Sequence, residues 1–154
     1  MKRLSRSTQE KLQKAAAKDT QEPNITSNWT SKEESSLVDY TGRGYLTINA
    51  ELRSGKVSKK TEKVVKDMDN ILSKNILQED VIVYRGTNGS FDSDKAYIST
   101  STSVNNARNF ARGENARIEA YRIPKGTKAI WIGNSEKELI LPRGFDLKKH
   151  RLKI

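Results

Sequence analysis

Residues 81–86 read VIVYRG: three β-branched residues, then a tyrosine, an arginine and a glycine. A run this short and this rich in branched side chains suits a pleated strand better than a helix. It also divides the chain. Before it, apolar spacing is helical: in SKKTEKVVKDMDNILSKN (58–75), Val64, Val65, Met68, Ile71 and Leu72 recur three and four apart. Further upstream TSKE, Thr30 to Glu33, has the form of a capping box ahead of ESSLVDY, which predicts a helix start. Gly42 and Gly44 punctuate that helix, and YLTINAELRSG (45–55) resumes as a second short one ending at Gly55. After it the signals turn to strands. AYIST (96–100), RIEAYRIP (117–124), KAIWIG (128–133), ELILP (138–142) and FDLKKHRLKI (145–154) are strand candidates between turn signals. SVNNARNFA (103–111) reads as a short helix capped by Ser103. Helices followed by strands predict an α+β domain with a largely antiparallel sheet core.

The chain has 154 residues and 34% apolar content, enough for one domain with a modest core. Residues 1–28 form a basic extension, helical or flexible, broken by Pro23; residues 29–154 form the folded domain. Lys and Arg total 29 against 19 Asp and Glu, a formal charge of +10 that favours anionic partners without naming one. With no cysteine there is no disulfide framework and no thiolate chemistry. The single histidine, His150, sits in the basic tail KKHRLKI and reads as a surface residue; no cluster suggests a metal. MKRLSRSTQEKLQKAAAK lacks a continuous apolar segment, so neither a signal peptide nor a membrane span is expected, and the working place is a cytoplasm.

Three short features carry candidate chemistry, each weak alone. Glu136 and Glu138 flank Lys137 at the head of the ELIL strand. In an extended segment they would share a side, about 6–7 Å apart, close enough to perturb each other's ionisation. A charged turn is the bland alternative. Arg85, at the end of an apolar strand, must snorkel or meet an anion, and its planar fork suits a phosphate. Gly86 beside it lets a ligand approach the backbone. Ser99, Thr100 and Ser101 can orient a carboxylate or bond a polar ligand, although such runs are common in loops.

The order of these features is more specific than any one of them. A strand-end Arg in VYRG, then YISTS, then SEKELIL resembles the mono-ADP-ribosyltransferases of the Arg-Ser-Glu class, which include binary-toxin enzymatic components, C3-like exoenzymes and phage transferases. YTGRGYLTINAELRSG looks like the family's helix covering the bound dinucleotide, with Tyr40, Tyr45, Asn49 and Arg53 at its polar positions. NARNFAR resembles the segment whose aromatic and arginine contact the nicotinamide nucleotide, here Phe110 and Arg112. The likeness covers roughly residues 29–154.

That resemblance implies helices packed on two antiparallel sheets around an NAD cleft, with NAD as substrate and no metal. It implies Arg85 on the diphosphate, with Gly86, Ser99, Thr100 and Ser101 near the ribose and nicotinamide. Glu138 would stabilise the oxocarbenium-like ribose, oriented by Ser99, as a carboxylate does in glycoside hydrolysis. Glu-x-Glu goes with arginine acceptors in the family, so Glu136 would take the proton of an attacking guanidinium, which is a poor nucleophile while charged. The implied activity is transfer of ADP-ribose to an accessible arginine of a target protein, as a toxin or phage-type effector. Transfer to water, giving an NAD glycohydrolase, uses the same residues and stays open. So does a basic module binding nucleic acid or ribosomes on a transferase fold. The loop WIGNSEKE is short, and Trp131, its nearest aromatic, reads as core rather than target recognition.

Overall fold

The computed structural model describes residues 22–87, 95–108, 116–133 and 137–153. Helix α1, Ser31–Asp39, begins at the predicted capping box: Thr30 Oγ1 accepts from the Glu33 amide at 3.1 Å, and the Glu33 carboxylate accepts from the Thr30 amide at 2.8 Å. A π-helical turn, Tyr40–Gly44, follows. Instead of ending the helix, the glycine pair loosens it. Gly42 leaves helical geometry (φ −74°, ψ −115°), and a Cβ on Gly44 would stand 2.3 Å from the Asp39 carbonyl oxygen. Only a residue without a side chain fits that close approach. Helix α2, Tyr45–Ser54, then runs to Gly55, whose left-handed φ of 78° closes it as expected. Helix α3, Lys59–Lys74, is capped by Ser58 and buries Val64, Met68, Ile71 and Leu72.

Residues 25–28, in the expected extension, lie against the end of α3. Asn75 is fully buried, accepts from the Asn28 amide at 2.6 Å and donates to the Asn28 and Ile71 carbonyls. Ile25 forms a bridge with Leu77.

Six strands follow: β1 Val81–Thr87, β2 Ile98–Ser101, β3 Arg117–Ile123, β4 Ile130–Ile132, β5 Glu138–Leu141 and β6 Arg151–Leu152. Between β2 and β3 lies a short helix α4, Val104–Arg108, with the Asn106 amide bonded to Ser103 Oγ as predicted. All pairings are antiparallel, in the order β4-β5-β2-β1-β3-β6. The two sheets expected from the resemblance are therefore joined among the described residues into one. The join is narrow: β1 and β2 share the single registered pair Tyr84↔Ser101, whereas β1 and β3 pair from Val81↔Ile123 to Thr87↔Arg117. The sheet thus has two wings, β4-β5-β2 and β1-β3-β6.

A second departure is at the C-terminal end. FDLKKHRLKI, read as one strand, holds a 3₁₀ turn at Leu147–His150 and only then β6. Leu147 is buried and His150 stacks on Phe145 at 5.3 Å, so the apolar contacts recur at turn spacing rather than every second residue.

Strand alternation sends side chains to two cores. Val83, Ile98, Tyr121, Leu139 and Leu141 pack on one face, with Trp131 partly buried against them, so Trp131 is core as expected. On the other face, Ile130 and Ile140 meet α1, α2 and α3. Tyr84, Ile118 and Ala120 meet α4 on that same face of the other wing.

Candidate active site

Registered partners share a face of the sheet. Ser101 stands opposite both Tyr84 and Glu138, and Ser99 opposite Ile140, so Ser99, Ser101 and Glu138 all point to the side covered by α1 and α2. Thr100 points the other way and donates to the Leu139 carbonyl at 2.8 Å. It braces β2 against β5 instead of facing the hydroxyl pair. The structure thus brings two hydroxyls and a carboxylate to the edge of one wing, where the apolar strand starts.

The helices complete this face. Tyr40 is 0% exposed, its ring edge-on to Tyr45 at 6.4 Å and to Tyr97 at 5.5 Å. Its hydroxyl receives the Asn49 side-chain amide at 3.2 Å and hydrogen-bonds Ser99. Burial pushes the Tyr40 phenol above its ordinary value; the bonds to Asn49 and Ser99 oppose this, the Glu138 charge adds to it and Arg53 opposes it. These contacts put Tyr40, Asn49, Ser99, Glu138 and Arg53 in one neighbourhood. Tyr45 is 37% exposed and Arg53 is exposed as well, so both can meet a ligand from the open side of α2.

Arg85 and Gly86 end β1, yet Arg85 leaves the strand on the opposite face. It stands across from Glu119, beside Tyr121, whose hydroxyl donates to the Glu119 carboxylate. Glu119 also pairs with Arg117 at 2.8 Å and lies 3.7 Å from Arg151. Burial and this carboxylate push the Tyr121 phenol far up, while Arg85 and Arg151 pull it back. Three guanidinium groups around a single carboxylate leave a net positive corner, suited to an anion. Neither Glu119 nor Tyr121 stood out in the sequence, because each reads as an ordinary strand residue in RIEAYRIP. The signal was the pairing of the two strands, which a single chain does not display.

The extended geometry assumed for Glu-Lys-Glu does not hold at Lys137. Lys137 has φ 47°, left-handed, and its carbonyl accepts from the Thr102 amide at 3.0 Å. A left-handed residue breaks the two-residue alternation, so regular strand geometry begins only after Lys137, at Glu138. The same bond ties the turn before Glu138 to the end of the Ser-Thr-Ser strand. Glu136, Phe110 and Arg112 lie outside the described residues.

Compared with known proteins, the sequence matches the family described as ADP-ribosyltransferase exoenzyme over residues 8–93 and 87–154. The chain belongs to this family. A curated relative from Enterococcus faecalis, named NAD(+)--arginine ADP-ribosyltransferase EFV, is 27% identical over 129 residues. The match takes in 71% of this chain but 26% of that protein, so the chain spans about a quarter of the relative's length. Among solved structures, exoenzyme S of Pseudomonas aeruginosa, bound to 14-3-3 protein beta and carba-NAD, superposes with TM-score 0.64 at 24% identity. That superposition covers 75% of this chain and 63% of the other. The C3 exoenzyme of Clostridium limosum gives 0.62 at 22% identity over 86% of this chain and 82% of its own. An ADP-ribosyltransferase from Clostridium botulinum gives 0.65 at 17% identity, covering 92% and 84%. These likenesses establish the fold: α+β, with helices on an antiparallel sheet.

Proposed function

We propose that this ADP-ribosyltransferase takes NAD as its substrate and transfers ADP-ribose to arginine side chains of a target protein, releasing nicotinamide. The observation that carries the reading is the Glu138 carboxylate registered opposite Ser101, on the face that Ser99 shares and α2 covers. Breaking the bond to nicotinamide leaves positive charge on the ribose, and a fixed carboxylate beside it lowers that barrier. In this reading Glu138 faces the ribose and Ser99 holds its orientation. Glu136 takes the proton of the attacking guanidinium. Phe110 and Arg112 contact the nicotinamide nucleotide, and Tyr45 and Arg53 border the dinucleotide from α2. The name of the Enterococcus relative and the Glu-x-Glu spelling support arginine as acceptor.

Arg85 and Gly86 take the diphosphate side. Because Arg85 projects toward Glu119, Arg117 and Arg151, the dinucleotide has to bend around the end of β1 instead of lying wholly over the Ser99–Glu138 face. In this reading the working place is a cytoplasm, where NAD and target proteins coexist.

The test uses labelled NAD, a mixed protein extract, and the wild-type protein beside Glu138→Gln and Glu136→Gln. Wild type labels protein, and a free guanidino compound competes for the label. Glu138→Gln labels nothing and releases no nicotinamide. Glu136→Gln still releases nicotinamide but leaves protein unlabelled. Wild-type nicotinamide release without protein labelling would instead make the chain an NAD glycohydrolase.

A further inference from the structure

The resemblance assigns Tyr40 and Asn49 to the dinucleotide, but both are buried, at 0% and 7% exposure, and their hydrogen bonds go to protein. Resting on the NAD reading above, we propose that Tyr40 and Asn49 are positioning residues that set the Ser99 hydroxyl from beneath the substrate.

Donor accounting orients the Asn49 end of the wiring. Asn49 Oδ1 accepts from the Tyr97 amide at 3.2 Å, which a side-chain NH₂ could not do, so the Asn49 amide has one orientation. Its Nδ2 then donates to the Tyr40 oxygen at 3.2 Å. The Tyr40 phenol, held by Asn49, also hydrogen-bonds the neighbouring hydroxyl, Ser99. That bond holds Ser99 Oγ from the core side, on the face of the sheet that Glu138 shares.

The start of the chain is anchored. The Tyr97 hydroxyl donates to Asp69 at 2.6 Å, and Arg143 both pairs with Asp69 at 2.6 Å and lies 5.6 Å over the Tyr97 ring. The Tyr97 main chain is therefore fixed at the entrance to β2, and its amide holds Asn49 on α2 in register with Ser99. Networks closed in this way act as a unit, so removing one member removes the function of the next.

The experiment is a double-mutant cycle between Tyr40→Phe and Ser99→Ala, read three ways. Phe retains the ring contacts with Tyr45 and Tyr97, so the fold persists. The expected results are an NAD dissociation constant within about twofold of wild type for Tyr40→Phe, and nicotinamide release slower by about tenfold to a hundredfold, the range for residues that orient a catalytic group. On the Ser99→Ala background, Tyr40→Phe should cost no further rate. An NAD affinity that falls in step with the rate would overturn the proposal and return Tyr40 to the binding surface. So would a rate loss that is fully multiplicative with Ser99→Ala. The third readout is denaturant unfolding of the same four proteins without NAD, where the double variant should lose less stability than the two single losses combined. If wild type releases no nicotinamide, the NAD reading fails, and this unfolding cycle still decides the wiring: strict additivity refutes it.

Discussion

Single residues here have roles that their type alone would not disclose. Lys137 holds φ 47°, a conformation that costs an L-residue roughly 1–2 kcal/mol and a glycine almost nothing. Its carbonyl bond to Thr102 and the strand that begins at Glu138 enforce it. Lys137→Val should therefore be at least about 1 kcal/mol less stable than Lys137→Gly in a denaturant titration, since β-branching makes the left-handed region worse. Equal stability would show that the turn relaxes freely. Arg85 offers a second residue-scale test. Lysine keeps the charge at the net positive corner but loses the planar fork, so Arg85→Lys should raise KM for NAD with a smaller effect on kcat. The sequence displayed Arg85, Ser99 and Glu138 as strand-end groups because each interrupts an apolar run. It could not display that Tyr40 is buried: a tyrosine at a helix end reads the same whether its hydroxyl meets a ligand or a serine.

At the scale of elements, two helix boundaries make contrasting predictions. Glycine inside a helix is ordinarily about 1 kcal/mol worse than alanine, so propensity alone would make Gly44→Ala stabilising. The Asp39 carbonyl 2.3 Å from the missing Cβ reverses that. A backbone oxygen cannot swing aside as a side chain can, and the π-helical turn has to open. Gly44→Ala should lower Tm, by an amount matching about 1–3 kcal/mol, the usual cost of forcing extra atoms into a packed site. The α1 cap supplies a pH test. The Lys74 ammonium 2.5 Å away, then the Thr30 amide, hold the Glu33 carboxyl below its ordinary value. A carboxyl depressed in the folded state stabilises fully above its unfolded pKa, and the stabilisation is lost as pH falls through the folded value. Glu33→Gln should thus destabilise at pH 7 and converge on wild type as pH falls below about 4. A Tm gap that stayed constant with pH would mean that the carboxylate charge contributes nothing. This cap was legible because its four residues are contiguous. The C-terminal 3₁₀ turn was not, because Phe145, Leu147 and His150 show their spacing only once Leu147 is seen to be buried.

Across the whole molecule, helices preceding strands disclosed the α+β class, and local pattern placed the helices and most strands. Local pattern could not give the way the wings join, since one registered pair, Tyr84↔Ser101, decides it. That pair also determines which groups share a face: it sends Ser99, Ser101 and Glu138 to one side and Arg85 to the other. In the proposed reaction Glu138 is a charge stabiliser aimed at the ribose, with diphosphate binding supplied from the other face. The decisive measurement is nicotinamide release from NAD by wild type and by Glu138→Gln, with NAD affinity and Tm determined on the same samples. Gln keeps the shape and removes the charge. A fall in release of at least about a hundredfold, with affinity and Tm near wild type, is the predicted result. Release by Glu138→Gln at a rate close to wild type would contradict that role, since the carboxylate opposite Ser101 would then have no part in breaking the bond.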